Sequence, residues 1–203
     1  MKLFGNDKTK QNTQYLVIIT GCAGSGKTTI GEELAKQLKY AYIDKDTVTR
    51  EFTDFILCKL GSFAGDRESD LYRTEILPIE YRVTFKVCRE VLSNGNNVIL
   101  TIPFISQISD WNKWLEIKKE SKIPDNVVVK FIWIHHNIDT EKKNILKRGA
   151  LRDSYKIKHW EEYAKSVEGI EPTFEYNAYI YVNDCEVKLS DTLEEVKRWI
   201  KKS

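Results

Sequence analysis

The sequence predicts an α/β fold in which five parallel strands form one sheet with helices on both faces. Three observations carry that expectation. Short apolar, β-branched runs recur along the 203 residues, bounded by turn residues and separated by segments of helical periodicity. The first run passes straight into a glycine-rich loop and then a helix, an order that places backbone amides at the carboxyl edge of a sheet. The length suits one core, so residues 14–203 read as a single domain behind a polar, flexible tail at 1–13.

The first strand is Tyr15-Leu-Val-Ile-Ile-Thr20, apolar enough to be buried on both faces. It is followed by Gly21-Cys22-Ala23-Gly24-Ser25-Gly26-Lys27-Thr28-Thr29, which satisfies G-x-x-x-x-G-K-[ST]. Gly21, Gly24 and Gly26 let the backbone curl so that successive N–H groups point inward at the phosphates of a nucleotide. Lys27 is expected to reach the β- and γ-phosphates of ATP and the Thr28 hydroxyl to ligate Mg²⁺. Ile30, Leu34, Ala35 and Leu38 then form the apolar stripe of a helix whose N-terminus faces the phosphates.

A short strand, Tyr40-Ala-Tyr-Ile-Asp44-Lys-Asp46, ends in two acids, which two apart on a strand share one face at the ligand-binding edge of the sheet. An acid there can hold Mg²⁺ through water or take the proton of a substrate hydroxyl, and the plain alternative is an N-cap for a helix over 47–55. Residues 47–92 read as helices broken by a hinge at Gly61–Asp66, with Pro78 inside the next apolar run and Val83, Val87, Val91 and Leu92 as an inward face. Arg50, Tyr72, Arg73, Tyr81 and Arg82 lie in this region, each open to the reading of an ordinary solvated helix face.

The third strand, Asn97 to Pro103, offers Thr101 where a second acid would be convenient, which moves the Mg²⁺ role toward Thr28 and Asp44. A helix over 109–119 is expected to bury Trp111, Trp114 and Leu115, and the fourth strand runs over 127–134. Adjacent His135 and His136 point to opposite faces of that strand, so they are not a metal pair. A helix over 139–148 turns Ile145 and Leu146 inward. Beyond it Arg148, Arg152 and Lys156 recur every four residues, one positive stripe if Gly149 does not break the helix. Cations so placed neutralise charge on a moving phosphoryl group, or merely coat a solvated face. A fifth strand over 178–183 and a helix over 192–202 with Leu193, Val196 and Ile200 inward complete the chain.

Charge is nearly balanced, 32 basic against 30 acidic residues, which gives no electrostatic case for nucleic acid or membrane as a partner. Cys22, Cys58, Cys88 and Cys185 are too far apart for a C-x-x-C site and read as reduced thiols of a cytoplasmic protein.

In order and content the motifs resemble the P-loop NTPase small-molecule kinases, a three-layer fold with an arginine-bearing lid. The likeness is closest to the AAA-type ATP-binding group that includes chloramphenicol phosphotransferase and zeta-toxin kinases. It rests on G-C-A-G-S-G-K-T-T, on D-K-D-T-V-T-R at 44–50, on L-P-I-E-Y-R at 77–82 with N-G-N-N-V-I-L-T-I-P-F at 94–104, and on L-K-R-G-A-L-R-D-S-Y-K-I-K-H-W at 146–160. The resemblance implies an ATP- and Mg²⁺-dependent phosphotransferase acting on a small-molecule hydroxyl. Asp46 would then activate the acceptor, with Asp44 near Mg²⁺ and Arg148 and Arg152 as lid arginines in a lid over about 148–170. Arg50, Arg73 and Tyr81 would face the substrate, and Asn183 and Asp184 would lie near adenine. A polynucleotide 5′-hydroxyl kinase and a nucleotide-dependent switch ATPase are the competing functions.

Overall fold

The computed structural model describes residues 13–135, 137–182 and 189–202. The expected tail up to residue 12, His136, Asn183, Asp184 and Cys185 lie outside them.

Five strands form one parallel sheet in the order β2-β3-β1-β4-β5. They are β1 (Gln14–Gly21), β2 (Ala41–Asp44), β3 (Val98–Thr101), β4 (Val127–His135) and β5 (Tyr179–Val182). Strand β1 is central because both its faces are covered, and Leu16, Val17, Ile18 and Ile19 are wholly buried. Its side chains alternate between two cores. Leu16 and Ile18 join Phe85, Phe104, Trp114 and Phe131 on one side, while Val17 and Ile19 join Ile30, Leu34, Leu193, Val196 and Ile200 on the other. Helices α1 (Lys27–Leu38) and α9 (Leu189–Lys201) therefore cover one face, and α3 (Leu77–Ser93) and α5 (Trp111–Ser121) the other. The short α4 (Ile105–Ile108) leads into α5. This is the expected three-layer α/β arrangement. Among the described residues no helix is long and apolar enough to cross a membrane.

Several expectations need correction. Strand β2 stops at Asp44, and α2 (Lys45–Lys59) starts at once, so Asp46 sits in the first turn of a helix and not on a strand face with Asp44. The inward face of α3 is Glu80, Tyr81, Thr84, Phe85, Cys88 and Leu92, whereas Val83 and Val87 are exposed. Periodicity marks the helix but not its phase here, because the buried side carries polar residues as well as apolar ones. Leu115 and Leu146 are likewise exposed beside buried Trp114 and Ile145. Between α2 and α3 the hinge is followed by a wide helical turn at Leu71–Ile76 that leads directly into α3, with Pro78 as the second residue of α3.

The stripe of Arg148, Arg152 and Lys156 is broken. Gly149 adopts a left-handed conformation (φ 59°) and ends α6 (Ile138–Arg148). A 3₁₀ turn at Leu151–Asp153, then α7 (Ser154–Lys158) and α8 (Trp160–Val167), continue the segment over the carboxyl edge of the sheet.

Candidate functional site

The loop between β1 and α1 leaves the central strand at its carboxyl end, where an α/β sheet offers a crevice. Gly24 has φ 77°, and a Cβ there would lie 2.9 Å from the Glu141 carbonyl oxygen, so the loop is shaped for glycine both by its conformation and by its neighbour. Lys27 Nζ donates to the carbonyls of Gly21 (2.9 Å) and Cys22 (2.7 Å), a posture folded back along its own loop. Burial lowers its ammonium to about 8, although Glu141 and Asp46 are near enough to favour the charge. Cys22 is buried and its thiol is pushed up to about 12, chiefly by desolvation, which makes it an inert part of the loop. Thr28 and Thr29 follow on the exposed first turn of α1.

The two acids have separate jobs. Asp44 caps α2, Oδ1 accepting from the Thr47 amide at 2.9 Å, while Oδ2 accepts from Thr101 Oγ1 at 2.8 Å. Asp44 and Thr101 are register partners on β2 and β3, so the carboxylate that the third strand lacks stands beside it on the next strand. The Tyr42 hydroxyl lies 2.9 Å from Thr101 Oγ1 and also interacts with Thr28, linking the phosphate loop to Asp44. Thr47 Oγ1 adds a third bond to Asp44, donating to Oδ1 at 3.1 Å. Hydroxyl and carboxylate oxygens of this kind suit Mg²⁺, a hard cation that keeps several waters, and a carboxylate with about four lone-pair sites retains capacity beyond those three bonds. Among the described residues no group of three His, Cys, Asp or Glu is placed to hold a metal ion.

Asp46 is held from two sides. Lys45 Nζ lies 3.1 Å from Oδ1, and Arg152 Nη1 donates to Oδ2. Burial by itself would raise this carboxyl, but Lys45 and Arg152, with Arg50 further off, outweigh it and hold it at about 2. Arg152 therefore reaches Asp46 across the cleft from the expected lid. Arg148 is anchored differently, its Nε and Nη2 donating to Oδ2 of buried Asp153 at 2.9 and 2.6 Å.

Phosphate loop, acids and arginines line one cleft of about 1170 Å³, above the common range for a single small ligand and roomy enough for a nucleotide together with an acceptor. Arg50 and Arg73 lie on its wall, Arg73 donating to Glu68 at 2.6 Å. Tyr81 borders the cleft from the core, its hydroxyl accepting from the Phe104 amide at 3.2 Å.

Three participants escaped the sequence reading. Tyr163 of α8 accepts from the Ala23 amide at 3.2 Å, placing a hydroxyl from the segment beyond Gly149 against a phosphate-loop donor. Glu141 of α6 is buried behind that loop, its Oε2 without a hydrogen-bond partner among the described residues, and desolvation pushes the carboxyl up to about 7 against the pull of Lys27. Buried Lys45 is the third. Only Lys45 left a trace, as the cation between the acids of D-K-D.

A family model described as an AAA domain matches residues 16–170. Over 84 residues the chain is 31% identical to a shikimate kinase of Synechococcus elongatus, covering 41% of this chain and 42% of that protein. Over 184 residues it is 21% identical to a shikimate kinase of Bacillus cereus, covering 91% of this chain and 97% of the other. The chain thus spans less than half the length of the Synechococcus relative that it matches at the higher identity. Among solved structures, a sugar kinase from Janibacter sp. HTCC2649 aligns with TM-score 0.61 and 16% identity over 92% of this chain and 94% of that one. A gluconokinase from Sinorhizobium meliloti 1021 aligns with TM-score 0.56 and 13% identity over 92% of this chain and 91% of that one. At such identities these two likenesses speak for the fold alone.

Proposed function

Because the chain belongs to the AAA domain family, we propose that it is a Mg²⁺- and ATP-dependent phosphotransferase that moves the γ-phosphoryl group of ATP to a hydroxyl of a small molecule. One observation supports this above the rest: the phosphate loop and a carboxylate paired with an arginine from the opposite wall open into the same cleft. A nucleotide switch has no need of an acceptor-facing acid. The shikimate kinase relatives agree with the reading, and it does not extend to their substrate.

The amides of residues 21–29 and Lys27 would bind the phosphates, with Lys27 leaving its two loop carbonyls to do so. Thr28 and Asp44 would hold Mg²⁺, which when bound would supply positive charge to offset that of the phosphates. Asp46 would accept a hydrogen bond from the acceptor hydroxyl and orient it. As the acceptor oxygen bonds to phosphorus, the bond from phosphorus to the bridging oxygen breaks, its electron pair leaves with ADP, and the hydroxyl proton passes to the Asp46 carboxylate and from it to water. Arg148 and Arg152 would stabilise charge on the phosphoryl group in transit, Arg50 and Arg73 would line the acceptor side with Tyr81 behind them, and Asn183, outside the described residues, would lie by the adenine. Positioning and electrostatics would supply nearly all the rate.

The test is turnover of Mg-ATP by purified protein against a pooled library of hydroxyl metabolites, with products read by mass spectrometry. A product that gains one phosphoryl group, absent with Lys27→Ala, is the expected result. Tight ATP binding with no phosphorylated product from any pool would favour the switch ATPase instead.

A further inference from the structure

Lys45 has no part in the mechanism above, yet it is among the most deeply buried charges at the site. It opens α2 with only 2% of its surface exposed, between two acids that face the cleft. Its Nζ donates to Glu80 Oε2 at 2.6 Å, and Glu80, on α3, is equally buried. Among the described residues every other hydrogen bond to that carboxylate comes from a hydroxyl. Tyr72 donates to Oε2 at 2.7 Å, and Thr49 and Thr53 donate to Oε1 at 2.8 and 2.6 Å. The ammonium is thus fixed by an acid that is itself fixed by three hydroxyls on two elements. From that post it reaches Asp46 Oδ1 at 3.1 Å.

Asp46 is therefore divided between two cations of different character. The one on Oδ1 is locked into the body of the protein. The one on Oδ2, Arg152, belongs to the segment beyond Gly149 and comes from 106 residues away in sequence.

We propose that Lys45 is a positioning residue for phosphoryl transfer: seated on Glu80, it pins Asp46 by Oδ1, so that Oδ2 is the oxygen presented to an acceptor hydroxyl once Arg152 turns to the phosphoryl group. The proposal rests on the phosphotransferase reading for its catalytic consequence, while the pinning itself does not depend on any acceptor. Stability is a poor explanation for the pair. A buried ion pair contributes little compared with well-packed neutral groups, although removing one partner alone is costly because the other is left charged and dry.

That asymmetry supplies the experiment. Lys45→Met alone leaves Glu80 unpaired and is expected to lower the melting temperature. The double variant Lys45→Met/Glu80→Gln removes both charges and keeps acceptors and donors for Tyr72, Thr49 and Thr53, so its melting temperature is expected to return toward that of the unaltered protein. Its kcat is expected to stay down by roughly tenfold to a hundredfold, the usual consequence of a misplaced group, with the KM for ATP unchanged. Recovery of kcat together with stability would reduce Lys45 to a structural role and overturn the proposal. A crystal structure of the double variant gives a second, acceptor-independent result. The Asp46 carboxylate is expected to leave its original position, and one that stays within about 0.5 Å overturns the proposal as well. If the unaltered protein phosphorylates no acceptor, the phosphotransferase reading fails by itself, and the position of Asp46 still decides what Lys45 does.

Discussion

Glu141 shows how a single side chain can tie the phosphate loop to pH. Its carboxyl is raised to about 7 by burial, above its ordinary 4.5, and one oxygen has no hydrogen-bond partner among the described residues. Below about pH 4.5 the group is protonated in both folded and unfolded chains and costs nothing. As pH rises toward 7 the unfolded chain releases the proton and the folded one keeps it, so stability is lost across that window and is not regained above it. The loss is on the order of 3 kcal/mol by the usual conversion of a pKa shift. Glu141→Gln should therefore be no more stable than the unaltered protein at pH 4.5 and clearly more stable at pH 8, as read by urea unfolding at both values. An equal difference at both would mean that Glu141 titrates normally. Nothing in the sequence marks this residue, because its burial comes from the packing of α6 behind the loop. The nine residues of the loop itself are legible, since their chemistry is local.

Helix α1 carries an interior glycine, Gly31, that ordinary helix propensity disfavours. A Cβ there would lie 2.5 Å from Thr101 Cγ2 and 2.9 Å from the Tyr42 ring, so the helix can lie this close to β2 and β3 only with hydrogen at that position. Those two neighbours are the ones that tie Asp44 to Thr28. Gly31→Ala should accordingly destabilise by about 1–3 kcal/mol through overpacking, despite a gain in helix propensity of roughly 1 kcal/mol. The midpoint of chemical denaturation measures it, and an unchanged or higher midpoint would mean that β2 and β3 yield freely. Elements buried on both faces, β1 above all, are readable as unbroken apolar runs. Helix α3 is not, because Glu80 and Thr84 face the interior while Val83 and Val87 face water: Glu80 is taken up by the network around Lys45, and the Thr84 hydroxyl donates to the Glu80 carbonyl of its own helix. The D-K-D stretch is misread as a continuing strand for a related reason. Asp44 acts as the N-cap and starts α2 one residue later, which separates two carboxylates that a strand would have aligned.

At the scale of the whole molecule, the segment from Gly149 through α8 differs from the body it covers. Helices α7 and α8 contribute no buried residue, whereas four consecutive residues of β1 are wholly buried. Apart from the partly buried Val167 and Ile170, which pack against the core, polar contacts hold the segment down: Arg152 to Asp46, Lys156 to Glu68, and the Tyr163 hydroxyl to the Ala23 amide. The recurrence of Arg148, Arg152 and Lys156 is visible in the sequence, but their acidic partners are not. The partner of Arg152 lies 106 residues away, and the left-handed turn at Gly149 sends Arg148 to Asp153. Few apolar contacts and a set of separable ion pairs are the marks of a unit that opens at low free energy while the sheet stays closed. Two of those three contacts engage groups that the proposed chemistry requires, Asp46 and a phosphate-loop amide. A nucleotide in the loop would compete with Tyr163 for the Ala23 amide and offer Arg152 a more highly charged partner, exchanging these contacts for stronger ones. Amide hydrogen exchange should therefore be faster over 149–170 than over β1 and β4 in the nucleotide-free protein. Saturating Mg-ATP should slow it by tenfold or more over that segment, and Lys27→Ala should abolish the slowing. If the segment without nucleotide is as protected as β1, it is part of the rigid body, and the contacts of Arg152 and Tyr163 are permanent structure and not a closure that the substrate remakes.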